Sequence, residues 1–273
     1  MHKLLIVAAV FAASAFAHFE VLYTPATVVE SGDARISSFF THPFEGGPIM
    51  TRGKGRDGAV EGDGVKEVFV VHRGERSNLR SATREVKWMA RGGLSAQGSE
   101  ITLSGPSFRS MGDYAVVVVG YPYWEAAENV YIQQVAKLIV SKGESLNHWK
   151  ERMLEGYTEI IPLTNPHNMT KGQIFRAQAV DCDGNPAAGI LVEAKLLNHQ
   201  VNQVRATTGM GRAFTSDEKK GSNQIVTDAN GVFAFVPQVS GFWGFAAIGA
   251  GKNNEHNGEE LELSPVLWIQ VAD

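Results

Sequence analysis

Six runs between Arg35 and Val140 (RISSFF, VKEVFVVH, REVKWMA, SEITLSG, DYAVVVVGY and VYIQQVAKLIV) are either alternating or β-branched, and each ends at a polar or glycine-bearing turn. Alternation has the two-residue period of a half-buried strand. An unbroken run such as AVVVV fits a strand covered on both faces. Strands this short and this closely spaced cannot form a helical bundle; they specify an all-β sandwich. With 29 glycines and 10 prolines in 273 residues, turns are frequent enough to serve every strand. FEVLYTP, just after residue 18, reads as one more strand.

A second strand-rich unit follows IPLTNPHNMTKG, whose two prolines and polar amides mark a boundary near Ile161. In it, GQIFRAQAVDCDGNPAAGILVEAKLLN reads as strand, turn and strand around Asp183 and Gly184. TDANGVFAFVP turns at Asn230 and Gly231, and GFWGFAAIG and SPVLWIQVAD supply further strands. The expected architecture is therefore two immunoglobulin-like β-sandwich domains in tandem, residues 18–160 and 161–273. One helix is expected in SLNHWKERMLEGY, capped by Ser145, with Trp149 and Met153 on one face. Arg205 to Gln224 is polar and aperiodic and is expected to be a long mobile loop.

Residues 1–17 have the form of a secretory leader. Lys3 is followed by the apolar run Leu4 to Phe16 and the small-x-small site Ala15-Phe16-Ala17. The run is too short to span a bilayer. Cleavage after Ala17 gives a periplasmic protein that begins at His18. Cys182 is the single cysteine, so an intrachain disulfide is excluded. The net charge of -4, about -5 without Lys3, and the lack of a basic cluster argue against nucleic acid as a partner.

An N-terminal histidine is chemically distinct from any other. Its free α-amine and its Nδ1 can close one chelate ring on a metal ion, and the amine loses its proton near pH ~8. Nitrogen donors of this kind suit Ni(II), Co(II) and Cu(II). His42, at the end of the RISSFF strand in FFTHPFEGGPIM, comes close to His18 if the first two strands pair. Glu45 follows in the same loop. Glu125 and Glu128, in PYWEAAE, are candidates to orient a ring. His72, His148, His167, His199 and His256 read as strand-end, helix, linker or loop residues. There is no phosphate loop, dinucleotide fingerprint, HExxH or nucleophile elbow, so binding rather than catalysis is expected.

These segments also carry a resemblance. AFAHF (Ala15 to Phe19), FTHPFEG (Phe40 to Gly46), PYWEAAE (Pro122 to Glu128), EIIPLTNP (Glu159 to Pro166), DANGVFAF (Asp228 to Phe235) and WGFAA (Trp243 to Ala247) occur in this order across the chain. Together they resemble a bacterial family of periplasmic nickel or cobalt uptake components, formerly a domain of unknown function. The resemblance implies tandem immunoglobulin-like sandwiches that bind Ni(II) or Co(II) and hand it to a membrane-embedded transporter. It also implies a histidine about where Gln134 stands, which makes Gln134 a candidate ligand beside His18, His42 and Glu45. Two other readings fit the residues: a copper histidine-brace protein, either carrier or polysaccharide oxygenase, and a structural sandwich that binds no metal.

Overall fold

The computed structural model describes residues 18–90, 93–143, 148–211, 213, 222–252 and 254–273. Among them the protein is all-β, with three short 3₁₀ turns (Arg80–Ala82, Gly105–Phe108 and His148–Lys150) and no α-helix.

The organising layer is a long twelve-stranded sheet. Its main path runs Ser222–Val226, Leu191–Leu196, Gly241–Ala247, Glu259–Ala272, Val130–Lys142, Gly112–Gly120, Val65–His72 and Glu75–Asn78. Strands from both halves of the chain meet at its centre. There Glu259–Ala272 runs parallel to Val130–Lys142, with Tyr131 opposite Leu261 and Leu138 opposite Trp268. Position 160, the expected boundary, lies inside the Glu159–Pro162 strand.

Both faces of this sheet are covered, which explains its unbroken apolar runs. Tyr114, Val116 and Val118 face one core together with Val68, Val70, Ala136 and Leu138. Ala115, Val117 and Val119 face the other way, with Phe69, Val71, Val135 and Leu154. The first core is closed by a six-stranded sheet in the order Phe19–Tyr23, Ala34–Thr41, Ser95–Leu103, Thr83–Ala90, Thr207–Met210, His199–Asn202. In the later half, a three-stranded sheet of Glu159–Pro162, Phe175–Val180 and Val232–Phe235 packs on the strands Leu191–Leu196, Gly241–Ala247 and Glu259–Ala272 through Phe175, Phe233, Trp243 and Phe245. With Ser222–Val226 this is three strands on four, the strand count of a constant-type immunoglobulin sandwich.

Two local expectations are corrected. The helix is absent among the described residues: 148–150 form one 3₁₀ turn, and Ser145 lies outside them. Carboxylates from neighbouring strands take the backbone donors that a helix would have used. Asp113 Oδ2 accepts from the Trp149 N–H at 3.2 Å, and Glu159 Oε2 accepts from Met153 and Leu154 at 3.0 and 2.9 Å. Tertiary hydrogen bonds outweigh local helix preference here. The expected loop Arg205 to Gln224 contains the strand Thr207–Met210, parallel to Met89 and Ala90, and the start of Ser222–Val226. Residues 212 and 214–221 lie outside the described set.

Candidate metal-binding site

The first two strands of the six-stranded sheet pair antiparallel, with Phe19 opposite Thr41 and Val21 opposite Phe39. One step further along this register sets His18 against His42. Odd-numbered Phe19, Val21 and Phe39 point into the main core. Period-two alternation then turns His18, Glu20, Phe40 and His42 to the opposite face. That face is covered at this corner by the ribbon of Tyr123–Glu125 and Val130–Ile132, which packs Tyr123, Val130 and Ile132 on Phe40.

The imidazoles of His18 and His42 lie 4.1 Å apart, centroid to centroid, at 56°. Phe40 stacks on His18 at 5.4 Å, and Tyr123 meets its edge at 5.7 Å. Glu125 projects from the ribbon and places Oε2 3.0 Å from His18 Nδ1. The His18 side chain is only 15% exposed. Burial, reinforced by the nearby His42, lowers its pKa to about 4 against the opposing pull of Glu125. Burial lowers His42 as well, while Glu45 and Glu125 act the other way. Both rings are therefore neutral at pH 7, the form in which an imidazole binds a metal. The surroundings are acidic. Burial raises Glu128, and Glu125 and Glu193 add to the effect. Burial lifts Glu262 to about 7. Tyr123 is held well above its usual range by burial and by the same carboxylates.

The structure thus brings His18 and His42 together and sets beside them Glu125, one of the two carboxylates expected to orient a ring, at a distance from His18 that no local sequence pattern encodes. Glu45 is exposed in the loop after His42 and acts on His42 through its charge. Gln134 is buried and engages main chain: its Oε1 accepts from the Glu20 N–H at 2.7 Å, and its Nε2 donates to the His18 carbonyl at 2.5 Å. Among the described residues, no group of three or more His, Cys, Asp and Glu side chains is arranged to hold a metal ion. A site here therefore needs a donor that is not a side chain, and the His18 nitrogen is such an atom.

Four other histidines among the described residues have partners of their own. His72 Nδ1 lies 3.0 Å from the Asp113 carbonyl, and His167 Nε2 lies 3.3 Å from the Asp113 carboxylate. His199 Nε2 lies 3.0 Å from the Gly47 carbonyl. His256 packs edge-on to Tyr131 at 4.7 Å, beside a 640 Å³ surface groove.

The class defined by these layers is an all-β sandwich protein. The chain belongs to the family described as a domain of unknown function (DUF4198), whose family model matches residues 15–251. No curated protein matches. Among solved structures, the chain is similar at 10% identity to the native conformation of E. coli alpha-2-macroglobulin, over 94% of this chain and 14% of that one, with a TM-score of 0.20. It is similar, also at 10% identity, to the two tandem V-type regions of VCBP3, a v-region-containing chitin binding protein, over 90% and 98% of the two chains, with a TM-score of 0.24. The group B streptococcus pilus 2b backbone protein aligns at 9% identity over 92% and 98%, with a TM-score of 0.17. The chain thus spans a small part of the alpha-2-macroglobulin it matches.

Proposed function

We propose that this is an exported metal-binding protein that captures Ni(II) or Co(II) and passes it to a membrane transporter. The observation that carries this reading is the close pairing of His18 with His42, at 4.1 Å, directly behind a leader-type cleavage site. Side chains alone do not complete a site. Cleavage before His18 converts its amide nitrogen into an amine and supplies the missing donor. The proposed ligands are then the amine and imidazole of His18 and the imidazole of His42. Glu125 stands beside them, 3.0 Å from His18 Nδ1, as the resting partner of the ring. In the metal-free protein the Nδ1–H donates to Glu125, so loading the chelating nitrogen requires that proton to leave. Nitrogen donors of this kind match nickel and cobalt and also accept copper.

The test is calorimetric titration of Ni(II), Co(II) and Cu(II) into chain that begins at His18. The same titrations are run on chain that keeps one extra residue before it. Tight nickel or cobalt binding that disappears with the extra residue supports the proposal. Binding indifferent to that residue, or none, overturns it, and a strong preference for copper moves the cargo to that metal.

A further inference from the structure

We infer that Gln134 is the positioning residue of this site: its carboxamide stands in for the peptide group of a missing neighbouring strand and thereby fixes His18. The inference rests on reading His18 and His42 as the metal pair.

Phe19–Tyr23 is the edge strand of the six-stranded sheet and, among the described residues, pairs only with Ala34–Thr41. Its outward groups at residues 18 and 20 have no strand to meet, and buried main-chain groups require partners. Gln134 reaches them from the Val130–Lys142 strand of the long sheet. Its Nε2 donates to the His18 carbonyl and its Oε1 accepts from the Glu20 N–H. A residue of a parallel neighbour bonds in this way, giving one hydrogen bond to each residue flanking the one opposite. Trp268 Nε1 continues the row by donating to the Glu20 carbonyl at 2.9 Å. The carboxamide orientation is settled by its partners, since a flipped group would set donor against donor and acceptor against acceptor.

At pH 7 only an amide side chain carries a donor and an acceptor on two separate atoms of one carbon. Glutamate has no donor at pH 7. Methionine matches the length and has neither group. Imidazole separates its two nitrogens across a ring. The consequence falls on His18. Once the leader is removed, His18 is a terminal residue, and termini fray unless tied down. Both donors of the chelating pair hang from the Cα of His18, so that atom has to be held in place beside His42. The bond from Gln134 to the His18 carbonyl fixes the plane of the His18–Phe19 peptide and with it the position of that Cα.

The experiment compares wild type, Gln134→Met and Gln134→Glu, each beginning at His18. Val119→Ala, a core change on the far face of the long sheet, controls for lost stability alone. Three readings are taken: the nuclear Overhauser effect between the His18 and His42 rings without metal, hydrogen exchange of the Glu20 amide, and Ni(II) affinity. Gln134→Met is expected to lose the ring-to-ring signal, to speed Glu20 exchange and to weaken Ni(II) binding about tenfold or more, the usual effect of removing an orienting group. Gln134→Glu keeps the acceptor for Glu20 and is expected to preserve its protection while losing the ring-to-ring signal. Val119→Ala is expected to retain both. If Gln134→Met keeps the ring-to-ring signal, positioning is overturned, whatever the metal data show. If wild type binds no Ni(II) and Gln134→Met still loses the signal, positioning stands and the metal reading fails.

Discussion

Glu125 holds His18 from the opposite side of a fold: its Oε2 sits 3.0 Å from Nδ1, although 107 positions separate the two residues in sequence. In the proposed site this carboxylate is the resting partner of the ring and a negative charge beside the bound cation. Glu125→Gln should weaken Ni(II) binding by about tenfold and Glu125→Ala by up to about a hundredfold. His72→Ala, which removes a ring bonded to the Asp113 carbonyl, should leave the affinity unchanged. Calorimetric titration checks all three. Equal affinity in the Glu125 variants would remove Glu125 from the site.

Stability should also respond to acid in a defined direction. His18 titrates near 4 in the folded protein and near its ordinary 6.5 in the unfolded chain. Between those values the unfolded chain binds a proton that the native protein does not. The contribution of His18 is therefore whole above pH 6.5 and is lost as pH falls towards 4, by about 3 kcal/mol. His42, also lowered by burial, acts in the same direction. Glu262 acts the opposite way. Lifted to about 7 by burial, it contributes stability that is present below pH 4.5 and is lost as pH rises through 7. Glu262→Gln should thus steepen the gain in stability between pH 5 and 6.5, and His18→Ala should flatten it. Urea unfolding of the metal-free proteins across this range reads both effects.

The fold has an ionic anchor away from the site. Lys137 Nζ and Glu159 Oε1 are 2.5 Å apart, with side chains 2% and 0% exposed. Glu159 also accepts the Met153 and Leu154 N–H groups. Lys137→Met should cost about 3–5 kcal/mol, because it leaves a buried carboxylate without its counter-charge. Metal affinity should be unchanged at temperatures where the variant is folded. Denaturant unfolding and nickel titration on the same preparation separate the two outcomes.

Bound metal should raise the melting temperature only when His18 is the first residue. At a free-metal concentration about a hundredfold above Kd, native-state binding adds about 2.7 kcal/mol. Chain with one extra residue before His18 should melt at the same temperature with and without Ni(II). An equal rise in both would place the metal elsewhere on the protein.

Much of this was legible in the residues, and the rest was not, for identifiable reasons. The strands around Val116 and Val70 are written in β-branched runs, and the meeting of His18 with His42 follows from pairing FEVLY with RISSFFT. Local pattern does not encode partners distant in sequence. Nothing near Val130 announces that Glu259–Ala272 lies beside it in parallel. TTGM has no alternation to mark it as a strand, and it pairs with Met89 and Ala90 over two residues only. The Trp149 and Met153 spacing suggests a helix because the sequence does not show that Asp113 and Glu159 claim the backbone donors. Gln134 illustrates the same gap: the resemblance raises the expectation of a side-chain ligand at that position, whereas here both of its polar atoms bond to main chain.

The parallel pairing of Val130–Lys142 with Glu259–Ala272 also bears on how the chain is made. During synthesis, the strand that fills the middle of the long sheet emerges after every other described strand. The earlier half, when it leaves the ribosome, has only part of its sheet and an open core where Val266 and Trp268 belong. Contacts of such long sequence separation form slowly. A nascent chain of this design cannot close that core until the Glu259–Ala272 strand has been made.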